Sequence, residues 1–513
     1  SNTTSAVFNY ILETQNFTIS SQSALVADFP QCWMTSGRQP QQTRIGRFFA
    51  YSYDVMVTLL PYSATATGSD CTAPAGQPNM ALHIQSTQNA ANTATPFAMS
   101  AASTALAMDD FNQDGFEDLF IMSNAEMLVA TAKNINDSNE GMSFGAPTAL
   151  PAATYTTSYD PASGDFNGDG LLDVAWIGQD YTIHFATVCP DAVAGTVCEN
   201  QAALAVVLDP ANSKPTNIRV NDAGGSCFAN GYPQNTVALT AGRYGVQGSD
   251  QLLTVDTVQT GTETVLGIEV PLCAYQIHQY TFDGTFNLGN KLTATLVDEP
   301  RIDVGLYVTN FYAQSARLGW LDQQEQAVIV AGGGIVGNSN LDAVTVVYVV
   351  SFAGATPQIA QTSTIGSLNS ADPEPWVNGM AIGHFAAISD DPSTEAAFNQ
   401  QIAALTNDGT VEVYAVSNPP VDITPQLLAT SKVDAGLNLN ERASSEETFT
   451  SWLVSGDLQG RSARLGPPSI VSVSSHSQPS VILGAPPMHV DYVLPYAATS
   501  SAWDVVNFSA VPD

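Results

Sequence analysis

A chain built almost wholly of β-strands, closed on itself as a ring of four-stranded antiparallel sheets, is the fold this 513-residue sequence predicts. Three observations lead there. Short runs rich in Val, Ile, Thr and Tyr recur between turn residues, as in 343–350 and 410–416. A triplet of a small residue, a polar residue and an aromatic or Leu returns along the chain, each time followed by a turn and an apolar run. Long amphipathic helices are hard to find. The class expected is therefore all-β: a single β-propeller of about seven blades.

The triplets start at Gly46, Asp109, Gly164, Gly242, Gly319, Gly383 and Gly456. Behind them lie the apolar runs Val55 to Leu60, Leu119 to Met122, Val174 to Ile177, Leu252 to Val255, Ala327 to Val330, Ile402 to Leu405 and Ile470 to Val473. The spacing exceeds the roughly 40 to 50 residues that a four-stranded blade needs. A blade has two apolar faces and needs a neighbour on each, which a closed ring supplies. Residues 46–483 are thus expected to form the propeller. Residues 1–45, with the run Val481 to Leu483, would contribute to closure, and 484–513 would be an extension or a link to a following region. A pair of β-sandwiches with chance triplets is the competing architecture.

Smaller features follow from local chemistry. Asn407-Asp408-Gly409 between Ile402–Leu405 and Val411–Tyr414 predicts a hairpin, because these turn residues tolerate positive φ. The segment 392–400 has modest helical character and reads as a loop insertion. Gly332-Gly333-Gly334-Ile335-Val336-Gly337 matches a dinucleotide fingerprint, but no helix or suitably placed acid follows, so a β-turn is expected.

Charge is sparse and lopsided. With 14 Lys plus Arg against 48 Asp plus Glu, the formal net charge is −34. Nucleic acid is excluded as a partner, since a phosphate backbone requires clustered bases and those here are scattered. Divalent cations, cationic surfaces or neutral glycans suit the acidity, as does plain solubility. No apolar run approaches the roughly 20 residues of a membrane helix. The six cysteines, Cys32, Cys71, Cys189, Cys198, Cys227 and Cys273, include no CxxC pair, which favours disulfides over zinc or redox chemistry. Pairing of sequence neighbours is the simplest of the fifteen connectivities. Asn2, Asn16, Asn136 and Asn507 begin Asn-x-Ser/Thr triplets.

Two repeats carry a sharper signal. Asp110-Phe111-Asn112-Gln113-Asp114-Gly115-Phe116-Glu117-Asp118 and Asp165-Phe166-Asn167-Gly168-Asp169-Gly170-Leu171-Leu172-Asp173 both read Asp-x-Asn-x-Asp-Gly-x-x-Asp. Calcium takes six to eight oxygens, and side chains at positions 1, 3 and 5 of a tight loop converge while Gly permits the bend. The carbonyls of Phe116 and Leu171 offer a further ligand, and Asp118 and Asp173 close each set. An EF-hand is excluded, because its twelfth-position Glu is replaced by Ile121 and Trp176, both in strand-like runs. Two Ca2+ sites are expected, in loops that join strands.

The stretch from Gly164 to Val174 resembles the FG-GAP, or VCBS-type, repeat of integrin α heads and microbial surface proteins. The resemblance is strong in two repeats and weak in the other five, which lack the acidic spacing. It implies a propeller braced by calcium, with partners bound on another surface. Asp390, Asp391 and Glu395 make a distant third metal candidate.

No Gly-x-Ser-x-Gly elbow or His-Glu-x-x-His helix is present. His83, His184, His278, His384, His476 and His489 are dispersed and read as strand residues. Trp33, Trp320, Trp376, Trp452 and Trp503 suit packing between blades, with a sugar-stacking face as the alternative. The expectation is a secreted or cell-surface, non-enzymatic adhesion or binding module for an extracellular protein or glycan. A lectin, a propeller polysaccharide lyase or hydrolase, and a self-assembling subunit of a surface layer or filament are the alternatives.

Overall fold

The structure is a computed structural model. It describes 42–51, 54–61, 78–85, 92–99, 103–136, 141–150, 161–178, 182–209, 249–265 and 268–296, and elsewhere only strands. Among the described residues the strands form seven antiparallel sheets, taken in chain order. The first holds β2 (Gln42–Gly46), β3 (Val55–Pro61), β4 (Met80–Gln85) and β5 (Asn92–Phe97), numbered after β1 (Ala6–Tyr10). The second holds β6 (Ser103–Asp109), β7 (Asp118–Ser123), β8 (Glu126–Ala132), β9 (Met142–Phe144) and β10 (Thr148–Ala149). The third holds β11 (Ala162–Gly164), β12 (Asp173–Ile177), β13 (Ile183–Cys189) and β14 (Ala205–Leu208).

Longer strands make the fourth and fifth sheets: β15 (Thr236–Gly242), β16 (Gln251–Val265), β17 (Ile268–Phe282) and β18 (Leu288–Leu296), then β19 (Val308–Trp320), β20 (Gln326–Val336), β21 (Asp342–Ser351) and β22 (Gln358–Ile365). The sixth holds β23 (Val377–Gly383), β24 (Gln401–Thr406), β25 (Thr410–Ala415) and β26 (Gln426–Lys432). The last holds β27 (Phe449–Gly456), β28 (Ser469–His476), β29 (Met488–Pro495) and β30 (Trp503–Ala510), with β1 paired to β30 at its edge.

First strands touch in succession, β2 to β6, β11, β15, β19, β23 and β27, and β27 returns to β2. That closed inner ring makes the fold a β-propeller. Each sequence triplet falls at the end of a first strand, and each apolar run behind it falls in the second strand. The repeat read from sequence therefore begins one strand inside its sheet. The segment read as an extension, 484–513, supplies β29 and β30 to the last sheet, where β1 also pairs.

Burial explains the ring. In β7, Leu119 and Ile121 pack with Phe48, Val57 and Leu82 of the preceding sheet, while Phe120 and Met122 pack with Val174 and Trp176 of the following one. In β12 the other parity, Ala175 and Ile177, faces Leu252 and Tyr280. Strand alternation thus sends apolar side chains to both faces, and each face needs a neighbouring sheet. The aromatic residue of the triplet, Phe48, Phe111 or Phe166, is fully buried in the interface with the sheet that follows.

The hairpin predicted around 407–409 is present as β24 and β25, with Ile402 opposite Tyr414 and Leu405 opposite Val411. Gly332 to Gly334 differ from expectation. They lie inside β20, paired on one side with Phe311, Tyr312 and Ala313 and on the other with Val344, Thr345 and Val346. Two-sided backbone pairing there outweighs the weak strand preference of glycine. The segment 392–400, with Asp390, Asp391 and Glu395, lies outside the described residues. Among the described residues no helix is long and apolar enough to cross a membrane.

Candidate metal centre

Both acidic loops link the first and second strands of their sheets, β6 to β7 and β11 to β12, and so lie at equivalent places in neighbouring blades. Their internal bonding is nearly identical. Asp110 accepts the amides of Asp114 (3.0 Å) and Gly115 (2.8 Å), and Asp165 accepts those of Gly168 (2.7 Å) and Gly170 (3.1 Å). Asn112 Oδ1 accepts from Asp114 N, and Asn167 Oδ1 from Asp169 N, both at 2.9 Å. The second acid in each loop accepts the amide two residues on, Phe116 to Asp114 and Leu171 to Asp169, again at 2.9 Å. Position 6 is glycine because φ there is +88° at Gly115 and +83° at Gly170, which a Cβ would oppose. A Cβ added at either glycine would meet nothing within 4 Å, so the requirement is conformational.

The closing carboxylates sit deeper. Asp118 and Asp173 begin β7 and β12, are almost fully buried, and accept the amides of Asn112 (3.0 Å) and Phe166 (3.1 Å) through Oδ2. Burial pushes Asp118 up to about 7, with Asp114 and Asp110 adding repulsion and the nearby Thr131 hydroxyl opposing it. Burial likewise raises Asp173 to about 8, against the Thr187 hydroxyl and together with Asp169 and Asp165. The two differ at Oδ1. Thr187 donates to Asp173 Oδ1 at 2.7 Å, whereas Asp118 Oδ1 is buried without a hydrogen-bond partner.

Among the described residues no three His, Cys, Asp or Glu side chains are gathered as a ready metal cluster; the loop carboxylates point to amides instead. The residues present nevertheless fit a hard cation. Every candidate donor is an oxygen, from Asp110, Asn112, Asp114, Asp118 and the Phe116 carbonyl, or from Asp165, Asn167, Asp169, Asp173 and the Leu171 carbonyl. Crowded carboxylates raise one another's proton affinity, and Asp118 Oδ1 offers an unsatisfied buried lone pair.

Neighbouring parts brace the loops. Arg47 N donates to Glu117 Oε2 while Glu117 N donates to Arg47 O at 3.1 Å. Two interfaces further on, Asp165 N donates to Asp250 Oδ2 (2.8 Å) and Asp250 N to Asp165 O (2.7 Å). The residue after the triplet's first position thus clasps the acid that precedes the next sheet's second strand. Gly46 and Gly164 lack a Cβ where one would press on Glu117 and Asp250. Between these interfaces the next sheet offers Leu172 instead of an acid, and Asp109 takes the place of glycine. Its own Oδ1 accepts Asp110 N at 2.9 Å. Burial raises both Glu117, to about 7, and Asp109. Arg47 also lies over the Phe116 ring, 5.5 Å from its centroid.

Cys189 and Cys198 form a disulfide with Cα atoms 5.4 Å apart, packed against Leu171 of the second loop. Cys273 lies in β17, while Cys32, Cys71 and Cys227 lie outside the described residues. His184 is buried and stacked on Trp176, and burial lowers His278 to about 4, keeping it neutral. Sequence reasoning missed Glu117, Asp250, Thr187 and the Gly46 contact. A signal for the clasp exists in the repeat register: Asp54, Glu117, Asp250 and Glu325 each precede a second strand, and the triplet one sheet back begins with glycine in all four cases.

Residues 110–176 match the FG-GAP-like repeat. The matched stretch contains both loops. No curated protein matches the sequence significantly. Among solved structures, the chain is similar to BBS1N from a complex with ARL6DN, at 9% identity over 91% of this chain and 92% of that one, TM-score 0.40. A lectin of Agrocybe aegerita that recognises non-reducing terminal N-acetylglucosamine matches at 11% identity over 85% and 89%, TM-score 0.40. The subtype N11 neuraminidase-like protein of A/flat-faced bat/Peru/033/2010 matches at 8% identity over 80% and 95%, TM-score 0.28. These are likenesses of architecture alone.

Proposed function

We propose that this chain is a calcium-stabilised β-propeller, its seven sheets the full set of blades, that works outside the cell as a non-enzymatic adhesion or binding module. The observation that carries this reading is the pair of equivalent oxygen-rich loops at the roots of adjacent blades, one with a buried unpartnered carboxylate oxygen. Bound calcium would supply a fixed positive charge to the carboxylates of both loops. Asp110 and Asp165 set the bend by holding two amides each, and Asp118 and Asp173 tie the loop to the second strand. A cation that binds only the folded arrangement stabilises it by mass action. The Cys189–Cys198 disulfide agrees with an oxidising, extracellular location. Surface loops on so rigid a ring are free to vary and to hold a partner.

The test is adhesion of the purified full chain to cell surfaces and glycan arrays, with calcium or with chelator. Calcium-dependent retention without product release is the expected result. Turnover of a polysaccharide by the chain would overturn the non-enzymatic reading.

A further inference from the structure

The two loops differ at their fourth position, where Gln113 occupies the place of Gly168. Both adopt positive φ, +60° and +77°. Glycine does so freely, but a residue with a Cβ is disfavoured there unless something holds it. What holds Gln113 lies in the other loop: its Nε2 donates to the carbonyl of Gly170 at 3.1 Å. Gly170 is the bend residue of the second loop, with its amide fixed by Asp165 and its successor Leu171 the candidate backbone ligand. The roots of the loops meet as well, since Ser163 hydrogen-bonds the carboxyl of Asp109 across the same interface.

We propose that Gln113 couples the two loops, so that a cation ordering one raises the affinity of the other for its own. This rests on the calcium reading above. The bridging bond needs both loops in their bent form, so the cation that orders one loop spares the second part of the ordering cost. Linkage makes the effect reciprocal, and one neutral hydrogen bond corresponds to the lower end of measured couplings, about fivefold in affinity.

The experiment is a double-mutant cycle on the full chain, stripped with chelator and titrated with calcium by calorimetry. Asp169→Ala removes the second site, leaving the first to be measured alone. The expected result is that Asp169→Ala weakens the first site about fivefold when Gln113 is present and leaves it unchanged in the Gln113→Gly background. Gln113→Gly relieves the positive-φ residue but gives up the bond to Gly170, so its calcium-free melting point should stay close to that of the native chain. Two ions bound by the native chain with the same loss in both backgrounds, or no loss in either, would overturn the coupling and leave the calcium reading standing. No calcium binding by the native chain would overturn both.

Discussion

Gly46→Ala tests whether the blades are fastened to one another at the loop roots. A methyl group at that position would press on Glu117 Oε2 and lie 2.8 Å from Met108 Sδ. The glutamate would have to withdraw, breaking its charge-assisted bond from Arg47 N and loosening the 3.1 Å return bond from its own amide. At pH 8 and above, where Glu117 is ionised, a hydrogen bond to a charged group contributes about 1.5–3 kcal/mol, so the substitution should cost about 2 kcal/mol. In a Glu117→Ala background the bond is already lost and the space is open. Of the three nearest atoms only the flexible thioether of Met108 then remains to meet the methyl, and the cost should fall below about 0.5 kcal/mol. The coupling between the two positions is therefore about 1.5 kcal/mol, readable in urea unfolding of the four proteins. Costs that add to within about 0.5 kcal/mol would refute the clasp.

Three further outcomes follow from the loops. Thr187→Val removes the 2.7 Å bond to Asp173 and leaves that buried oxygen as unpartnered as its counterpart in Asp118; it should destabilise the calcium-free chain by about 1–3 kcal/mol in chemical denaturation. Replacing Cys189 and Cys198 together by Ser loosens the support beneath Leu171, so calorimetry should show calcium binding weakened a few-fold at the second loop and less at the first, which feels the change only through Gln113. The pH dependence has a fixed sign. Glu117 and Asp118, each near 7, and Asp173, near 8, are raised above the unfolded values of 4.5 and 3.8, so the folded chain binds more protons between those limits. Their contribution to stability is full below about pH 4 and is lost as pH rises through 7 to 8, so the chelated chain should melt lower at pH 8 than at pH 5, and calcium should flatten the difference.

Much of the fold was legible because its unit repeats. Second strands such as Leu119–Met122 and Val174–Ile177 show as unbroken apolar runs, since both parities are buried between sheets. Their periodicity marks strands, but strand order is invisible to it, so the sequence alone frames the repeat one strand late and makes an extension of β29 and β30. Gly332 to Gly334 misled for a related reason: glycine signals a turn locally, and only pairing to β19 and β21 places it within a strand. The candidate loops were legible because their ligand spacing is contained in nine consecutive residues. Glu117 and Asp250 were not, because the atoms they hold lie 70 and 85 residues away in sequence. Gln113 looked like an ordinary loop residue until its partner, 57 residues on, came into view.

If the two loops at the roots of adjacent blades hold calcium, the metal should stabilise the propeller. Calorimetric titration of the chelator-stripped full chain, with melting followed in parallel, tests it most directly. About two ions bound per chain and a melting point that climbs with calcium are the predicted result; a chain that takes up no calcium and melts at the same temperature with or without it would contradict the account.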